Sequence, residues 1–217
     1  MKNAVIFDMD GVLVDNRDIH IEAFQMLFKE LGLHATYEQL LMSFGKVNTQ
    51  IFQDIFGKDR FSQEEINRMG IAKEEIYRDI FSKKIEPAPG LIPFLKDLKS
   101  KNTKIAVGSS GPRVNVEFVL DRCGITEYFD AIADGNMISK GKPDPEVFLL
   151  AAKLLGKNPS ECIVFEDAIV GIEAGKRAGM TVIAMETTFP REMLAGSGYD
   201  RLISSFREVD SSILEQF

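Results

Sequence analysis

The stretch Ala4-Val5-Ile6-Phe7-Asp8-Met9-Asp10-Gly11-Val12 constrains the fold more than any other part of the chain. Four apolar residues run straight into two acids spaced by one residue. A short continuous apolar run reads as a strand buried on both faces, the kind found in parallel sheets. Side chains alternate along a strand, so Asp8 and Asp10 leave its end on one side if the extended geometry persists. Gly11 then permits a sharp turn. The carboxyl end of such a strand is where open α/β sheets bind ligands. Two carboxylates placed there repel, and either a divalent cation or a retained proton relieves them. An isolated pair of this kind is also compatible with two solvated aspartates in a loop.

The chain after this strand has two characters. Residues from about 15 to 85 give helix after helix and no strand. Ile19, Ala23, Met26, Leu27 and Leu31 recur at helical spacing up to Gly32. Tyr37 to Phe44 and Val47 to Phe56 read as two shorter helices. Ser62-Gln63-Glu64-Glu65 is a capping box for a longer one running past Tyr77 and Phe81, with a break at Gly70. Pro87-Ala88-Pro89-Gly90 is a stiff connector. Beyond it, strand-like runs at 104–108, 131–133, 162–165, 181–184 and 202–203 alternate with helical patterns, including a closing helix from Phe206 to Phe217. That alternation indicates βαβ units and a parallel sheet. The expected architecture is α/β: a Rossmann-like core from residues 1–14 and 87–217, with residues 15–86 inserted as a separate helical domain.

Composition narrows the function. The 217 residues carry a formal net charge of −7 and no basic run, which argues against nucleic acid and an anionic membrane surface as partners. Met1-Lys2-Asn3 leads directly into the strand with no signal-peptide pattern, and no apolar stretch reaches membrane-spanning length. Cys123 and Cys162 are isolated in apolar contexts, which reads as two reduced thiols. A cytoplasmic monomer is expected.

Three further stretches fall at expected strand ends. Gly108-Ser109-Ser110-Gly111 offers hydroxyls and backbone N–H groups in a glycine-bracketed turn, a phosphate cradle or simply a helix N-cap. Gly141-Lys142-Pro143-Asp144-Pro145 holds a lysine at the sheet rim, with Asp144 as the cap of the next helix. Phe165-Glu166-Asp167 repeats the opening pattern of a buried strand delivering acids. Asp167, Asp8 and the Asp10 carbonyl make an oxygen-rich set suited to Mg²⁺ with several waters.

Together these stretches resemble, in order and over nearly the whole chain, the four motifs of the haloacid dehalogenase-like superfamily. Within it they are most similar to β-phosphoglucomutase-like phosphatases, on Phe7-Asp8-Met9-Asp10-Gly11-Val12-Leu13-Val14-Asp15 with His20, Gly141-Lys142-Pro143, and Glu166-Asp167-Ala168 with Gly171 and Gly175. The resemblance implies that the insertion is an α-helical cap. It also implies in-line phosphoryl transfer to Asp8, with Asp10 held protonated as acid and base. Mg²⁺ would be bound by Asp8, the Asp10 carbonyl and Asp167. Glu166 would orient metal-bound water, Lys142 would keep Asp8 ionised, and Ser109, with Ser110 and nearby N–H groups, would bind phosphate oxygens. An acid at position 10 excludes the namesake dehalogenases and argues against phosphonatases.

The expected activity is a Mg²⁺-dependent phosphohydrolase acting on a small phosphorylated metabolite of sugar-phosphate type. A phosphohexomutase and a non-catalytic regulator are the alternatives. A mutase of this group places an arginine shortly after a glycine in the cap, and here Phe44-Gly45-Lys46-Val47-Asn48-Thr49-Gln50 has only Lys46. Lys46, Asn48 and Thr49, with His20, are the expected readers of the leaving group. Helix capping is the other reading of Asn48 and Thr49, and a half-buried polar residue that of His20.

Overall fold

The computed structural model describes residues 2–217; Met1, at the edge of the expected core, lies outside them. Six parallel strands form one sheet: β1 (Ala4–Phe7), β2 (Lys104–Gly108), β3 (Ala131–Ala133), β4 (Cys162–Glu166), β5 (Thr181–Met185) and β6 (Arg201–Ile203). Their order across the sheet is β3-β2-β1-β4-β5-β6. The opening strand is therefore central, paired with β2 on one side and β4 on the other. The direction of strand addition reverses beside it, the kind of switch point where such sheets bind ligands.

Alternation divides the sheet's side chains between two cores. Val5, Phe7, Val107 and Phe165 face helices α5 (Leu91–Ser100) and α6 (Arg113–Arg122). Ala4, Ile6, Ala106 and Val164 face α7 (Glu146–Leu154) and α8 (Ile169–Arg177). Phe7 stacks on Phe165 at 5.1 Å between ring centroids. Every residue of β1, β4 and β5 is buried, as their unbroken apolar runs require. A four-residue helix α9 (Arg191–Leu194) lies between β5 and β6.

Between β1 and α5 the described chain is helical: α1 (Arg17–Glu30), α2 (Tyr37–Leu41), α3 (Asn48–Phe56) and α4 (Gln63–Phe81). These helices enclose a core of their own, built from Ile21, Phe24, Phe28, Leu40, Phe52 and Ile66 among others. The two chain crossings to and from this insertion meet where the Ala88 N–H donates to the Leu13 carbonyl at 2.8 Å. The Ser62–Glu65 capping box is present. Cys123 and Cys162 are buried free thiols.

Three local expectations need correction. Helix α4 runs unbroken through Gly70, whose missing side chain leaves room for the Asn48 amide against the helix. Asp144 is not the N-cap of α7: that place is taken by Pro145, and Asp144, one residue earlier, accepts from the Glu146 N–H through Oδ1. The segment after Phe206 makes two short 3₁₀ turns, Phe206–Glu208 and Ser211–Glu215, not one helix. Ser205 and Asp210 side chains accept from backbone N–H groups two residues on, which interrupts helical bonding.

Candidate active site

The carboxyl ends of β1, β2 and β4 bring the acidic pair and the later motifs together. The Asp8 N–H donates to the Phe165 carbonyl at 3.0 Å, extending the β1–β4 ladder by one residue and setting Asp8 beside Glu166. Lys142, fully buried, donates from Nζ to Asp8 Oδ1 and to Glu166 Oε1, each at 2.6 Å. The Lys142–Pro143 peptide is cis. Glu166 Oε2 accepts the backbone N–H groups of Asp167 and Ala168 at 2.8 Å. Glu166 is thus committed to holding Lys142 and the turn into α8. Gly171 faces this carboxylate, and a Cβ there would overlap it.

Asp167 differs. It is fully buried, and neither carboxylate oxygen has a hydrogen-bond partner; the nearby Thr188 hydroxyl has none either. A buried carboxylate without donors is costly, so a cation is the fitting partner. One oxygen each from Asp8, Glu166 and Asp167 lies within 4.8 Å of the others. Hard oxygen donors in this arrangement fit a divalent cation of the Mg²⁺ kind. Gly11, at φ +77°, closes the cluster from above, where a Cβ would overlap the Asp167 carboxylate.

The electrostatics follow the same division. Burial pushes the Asp8 carboxyl up to about 7, against the pull of Lys142, with Glu166 and Asp10 adding to the rise. Burial and the charges of Glu166 and Asp8 raise Asp167 well above the ordinary carboxylate value. Burial would lower Lys142, but Asp8 and Glu166 overcome it and hold the ammonium charged.

Asp10 stands apart from this cluster. Burial alone would raise it, yet His20 and Asn16 hold it below the ordinary value. The Asn16 Nδ2 donates to Asp10 Oδ1 at 2.6 Å, and His20 Nε2 lies 3.1 Å from the same oxygen. Both neighbours therefore favour the carboxylate form of Asp10 in this arrangement, where the resemblance implies a proton held for the first half of the reaction.

The remaining expected residues are spread more widely. Ser109 is buried and its Oγ accepts the Gly111 N–H at 3.0 Å, which leaves the hydroxyl proton free to donate. Ser110 spends its hydroxyl proton on the Gly45 carbonyl of the insertion at 2.7 Å. Lys46 is ion-paired with Asp54 at 2.7 Å. Asn48 donates to Glu74 at 2.8 Å. Asp8, Asp10, His20, Lys46 and Asn48 all line one cavity of about 50 Å³ under the insertion. Thr49 does not; it faces an adjoining cleft between α4 and α6.

Sequence reasoning missed Asn16, Lys73, Glu74, Tyr77 and Asn115. Lys73 Nζ sits 2.6 Å from His20 Nδ1 and also donates to Glu74. An ammonium only donates, so Nδ1 is the acceptor and His20 presents Nε2–H to Asp10. The His20 ring stacks on Tyr77 at 4.0 Å, and Asn16 donates to the Tyr77 hydroxyl. A signal was available: Ile66, Met69, Lys73 and Tyr77 share one helical stripe, so a lysine interrupts an apolar face.

A fold of this topology with acids at the ends of its central strands defines a class, and comparison with known proteins specifies it. The family profile described as "Haloacid dehalogenase-like hydrolase" matches residues 5–185. The chain belongs to that family. It is 31% identical over 181 residues to the fructose-1-phosphate phosphatase YqaB of Escherichia coli, covering 82% of this chain and 94% of that one. It superposes on the crystal structure of β-phosphoglucomutase from Clostridium difficile with a TM-score of 0.88 at 30% identity, over 100% of this chain and 96% of the other. The chloroplastic protein Suppressor of Quenching 1 of Arabidopsis thaliana is 34% identical over 204 residues, but this chain spans only 19% of its length. Among the described residues, no helix is long and apolar enough to cross a membrane.

Proposed function

We propose that the protein is a phosphohydrolase that removes phosphate from a small sugar-phosphate-like metabolite through an aspartyl-phosphate on Asp8. The observation that carries this reading is the Lys142 bridge: one buried ammonium, 2.6 Å from both Asp8 and Glu166, beside a buried Asp167 with no partner. Residues 1–14 and 87–217 act as the catalytic core and residues 15–86 as the cap that covers it. Asp8, Asp167 and the Asp10 carbonyl are the groups that would hold Mg²⁺. Bound there, the ion supplies positive charge for the phosphate oxygens and keeps Asp8 ionised.

A carboxylate oxygen of Asp8 attacks phosphorus while the bond to the leaving oxygen breaks. Asp10, carrying a proton for this half, gives it to that oxygen. Water then attacks the phosphoryl group on Asp8, and Asp10 takes the proton back. The contacts of Asp10 with His20 and Asn16, which favour its carboxylate form, suit this second half. Lys142 orients Asp8 and adds charge, and Ser109 has a proton to offer a phosphate oxygen. Most of the catalysis is positioning and electrostatics. His20, Lys46 and Asn48 are the cap groups that would meet the leaving group.

Relatives carrying phosphatase and mutase names share this fold, and one feature favours hydrolysis. The Lys46 charge, the candidate grip for a second phosphate, is already paired with Asp54. The test is a panel of phosphorylated metabolites assayed for free phosphate, alongside a coupled assay that detects glucose 6-phosphate formed from β-glucose 1-phosphate. Phosphate release that requires Asp8 is the expected result. Isomerisation outpacing release would replace this reading with the mutase, and no Mg²⁺-dependent turnover of any substrate would favour the non-catalytic regulator.

A further inference from the structure

Asn115 lies in the first turn of α6, on the core side, and is 1% exposed. Its amide is gripped from both sides by α4 of the insertion. The Nδ2 donates to Glu74 Oε2 at 2.6 Å, and Oδ1 accepts from Arg78 Nη1 at 2.6 Å. A carboxylate only accepts and a guanidinium only donates, so a single amide orientation satisfies both. Glu74 and Arg78 are one helical turn apart and so present a matched pair on one face of α4.

The grip continues toward Asp10. Glu74 Oε1 also accepts from Asn48 of α3 at 2.8 Å, and both Glu74 oxygens accept from Lys73. This nearly buried carboxylate therefore ties α3, α4 and α6 together. Lys73 in turn meets His20, and His20 meets Asp10. A continuous line of polar contacts runs from the core helix through the insertion to the Asp10 carboxyl. The cavity it borders, about 50 Å³, adjoins a cleft of about 630 Å³ that shares its Asn48, Glu74 and Ser110.

We propose that Asn115 is a positioning residue: gripped by Glu74 and Arg78, it registers the insertion on the core and fixes the His20–Asp10 geometry. The link to Asp10 rests on the acid–base role given above; the registering of the insertion does not.

The experiment is hydrogen exchange read by mass spectrometry on the whole chain, for wild type, Asn115→Asp, and Asn115→Asp combined with Glu74→Gln. The single variant sets two buried carboxylates against each other. Exchange over residues 63–81 should quicken by about tenfold or more, with β1 and β4 unchanged. In the double variant the glutamine amide can donate to the carboxylate introduced on α6 while its Oε1 keeps Asn48 and one contact to Lys73, so exchange should slow again by about threefold or more relative to the single variant, and no recovery overturns the proposal. No change in the single variant, or equal quickening throughout the sheet, overturns the proposal. Asn115→Ala then tests the link to Asp10. Its kcat on an alkyl phosphate, whose leaving oxygen needs a proton, should fall about tenfold further than on p-nitrophenyl phosphate, which does not. Equal losses overturn that link. A wild-type protein that released phosphate from neither ester nor any metabolite of the panel would sink the phosphohydrolase reading, while the exchange data would still decide for or against Asn115.

Discussion

The two polar clusters of this molecule are built in opposite ways. At the strand edge, Asp8, Glu166 and Asp167 stand where backbone ladders put them, and Asp167 is left without a donor. In the insertion, His20, Lys73 and Glu74 come from two helices and meet one another's needs through side chains alone. The first cluster is incomplete without a ligand; the second is complete already. Incompleteness on a rigid sheet marks the place for chemistry. Completeness within the insertion fits the alignment role proposed for it.

The sharpest way to break this contrast is Asp8→Asn. It should abolish turnover while leaving far-UV circular dichroism unchanged, since an amide cannot act as the nucleophile; normal phosphate release would end the argument. Asp10→Asn should come next, slowing turnover by ~10²–10⁴-fold, because in the proposed reaction Asp10 serves both halves. Retained rate in that variant would remove the acid–base role. Phe52→Ala, in the insertion's own core, should cost about 3–5 kcal/mol on denaturant unfolding of that layer. If the clusters are separate as described, its Mg²⁺ response stays that of wild type.

Mg²⁺ itself gives a smaller, pH-dependent effect. Asp8 rises from the ordinary 3.8 to about 7 in the folded protein, so without metal the folded state holds that proton more tightly than the unfolded chain. This contribution to stability is full below 3.8 and is lost as pH rises through about 7. Mg²⁺ competes with the proton, so its stabilisation grows across the same interval, reaching about 2.7 kcal/mol at roughly a hundred times Kd. Thermal melts with and without Mg²⁺ should show a larger Tm gain at alkaline than at acid pH, and the reverse order would break the assignment. Smallest of all, Lys46→Ala removes a partly exposed ion pair and should change stability by less than ~1 kcal/mol. A large loss of affinity for the best substrate in that variant would show that Lys46 leaves Asp54 to grip it.

The same contrast explains what the sequence made legible. Asp8, Lys142 and Glu166-Asp167 were readable because each sits on a short local pattern: an apolar strand followed by an acid, or a lysine between glycine and proline. The alternation that sends Val5 and Phe7 to one core and Ile6 to the other was readable for the same reason. Asn115 was not, because its partners Glu74 and Arg78 lie 41 and 37 residues away and nothing local marks it. Lys73 was half-legible, as a cation on an apolar stripe whose partner His20 lies 53 residues away. The surroundings of Asp10 were not legible, because they depend on two neighbours, Asn16 and His20, whose hydrogen bonds only the folded loop creates. The segment after Phe206 was misread because its apolar spacing suggested a helix, while Ser205 and Asp210 favoured turns.

The central place of β1 also shapes the order in which the chain can fold. Ala4 pairs with Lys104 and with Cys162, so the strand that carries Asp8 finds its partners only after long loops have closed. The insertion's core, by contrast, is drawn from Ile21 to Met69, a compact and local set. Local contacts form early and distant pairings late. During synthesis the helical layer can therefore settle first, while β1 waits, apolar and unpaired, until β4 leaves the ribosome. Asp8 would be made well before the strands that flank it and set in place only after both have followed.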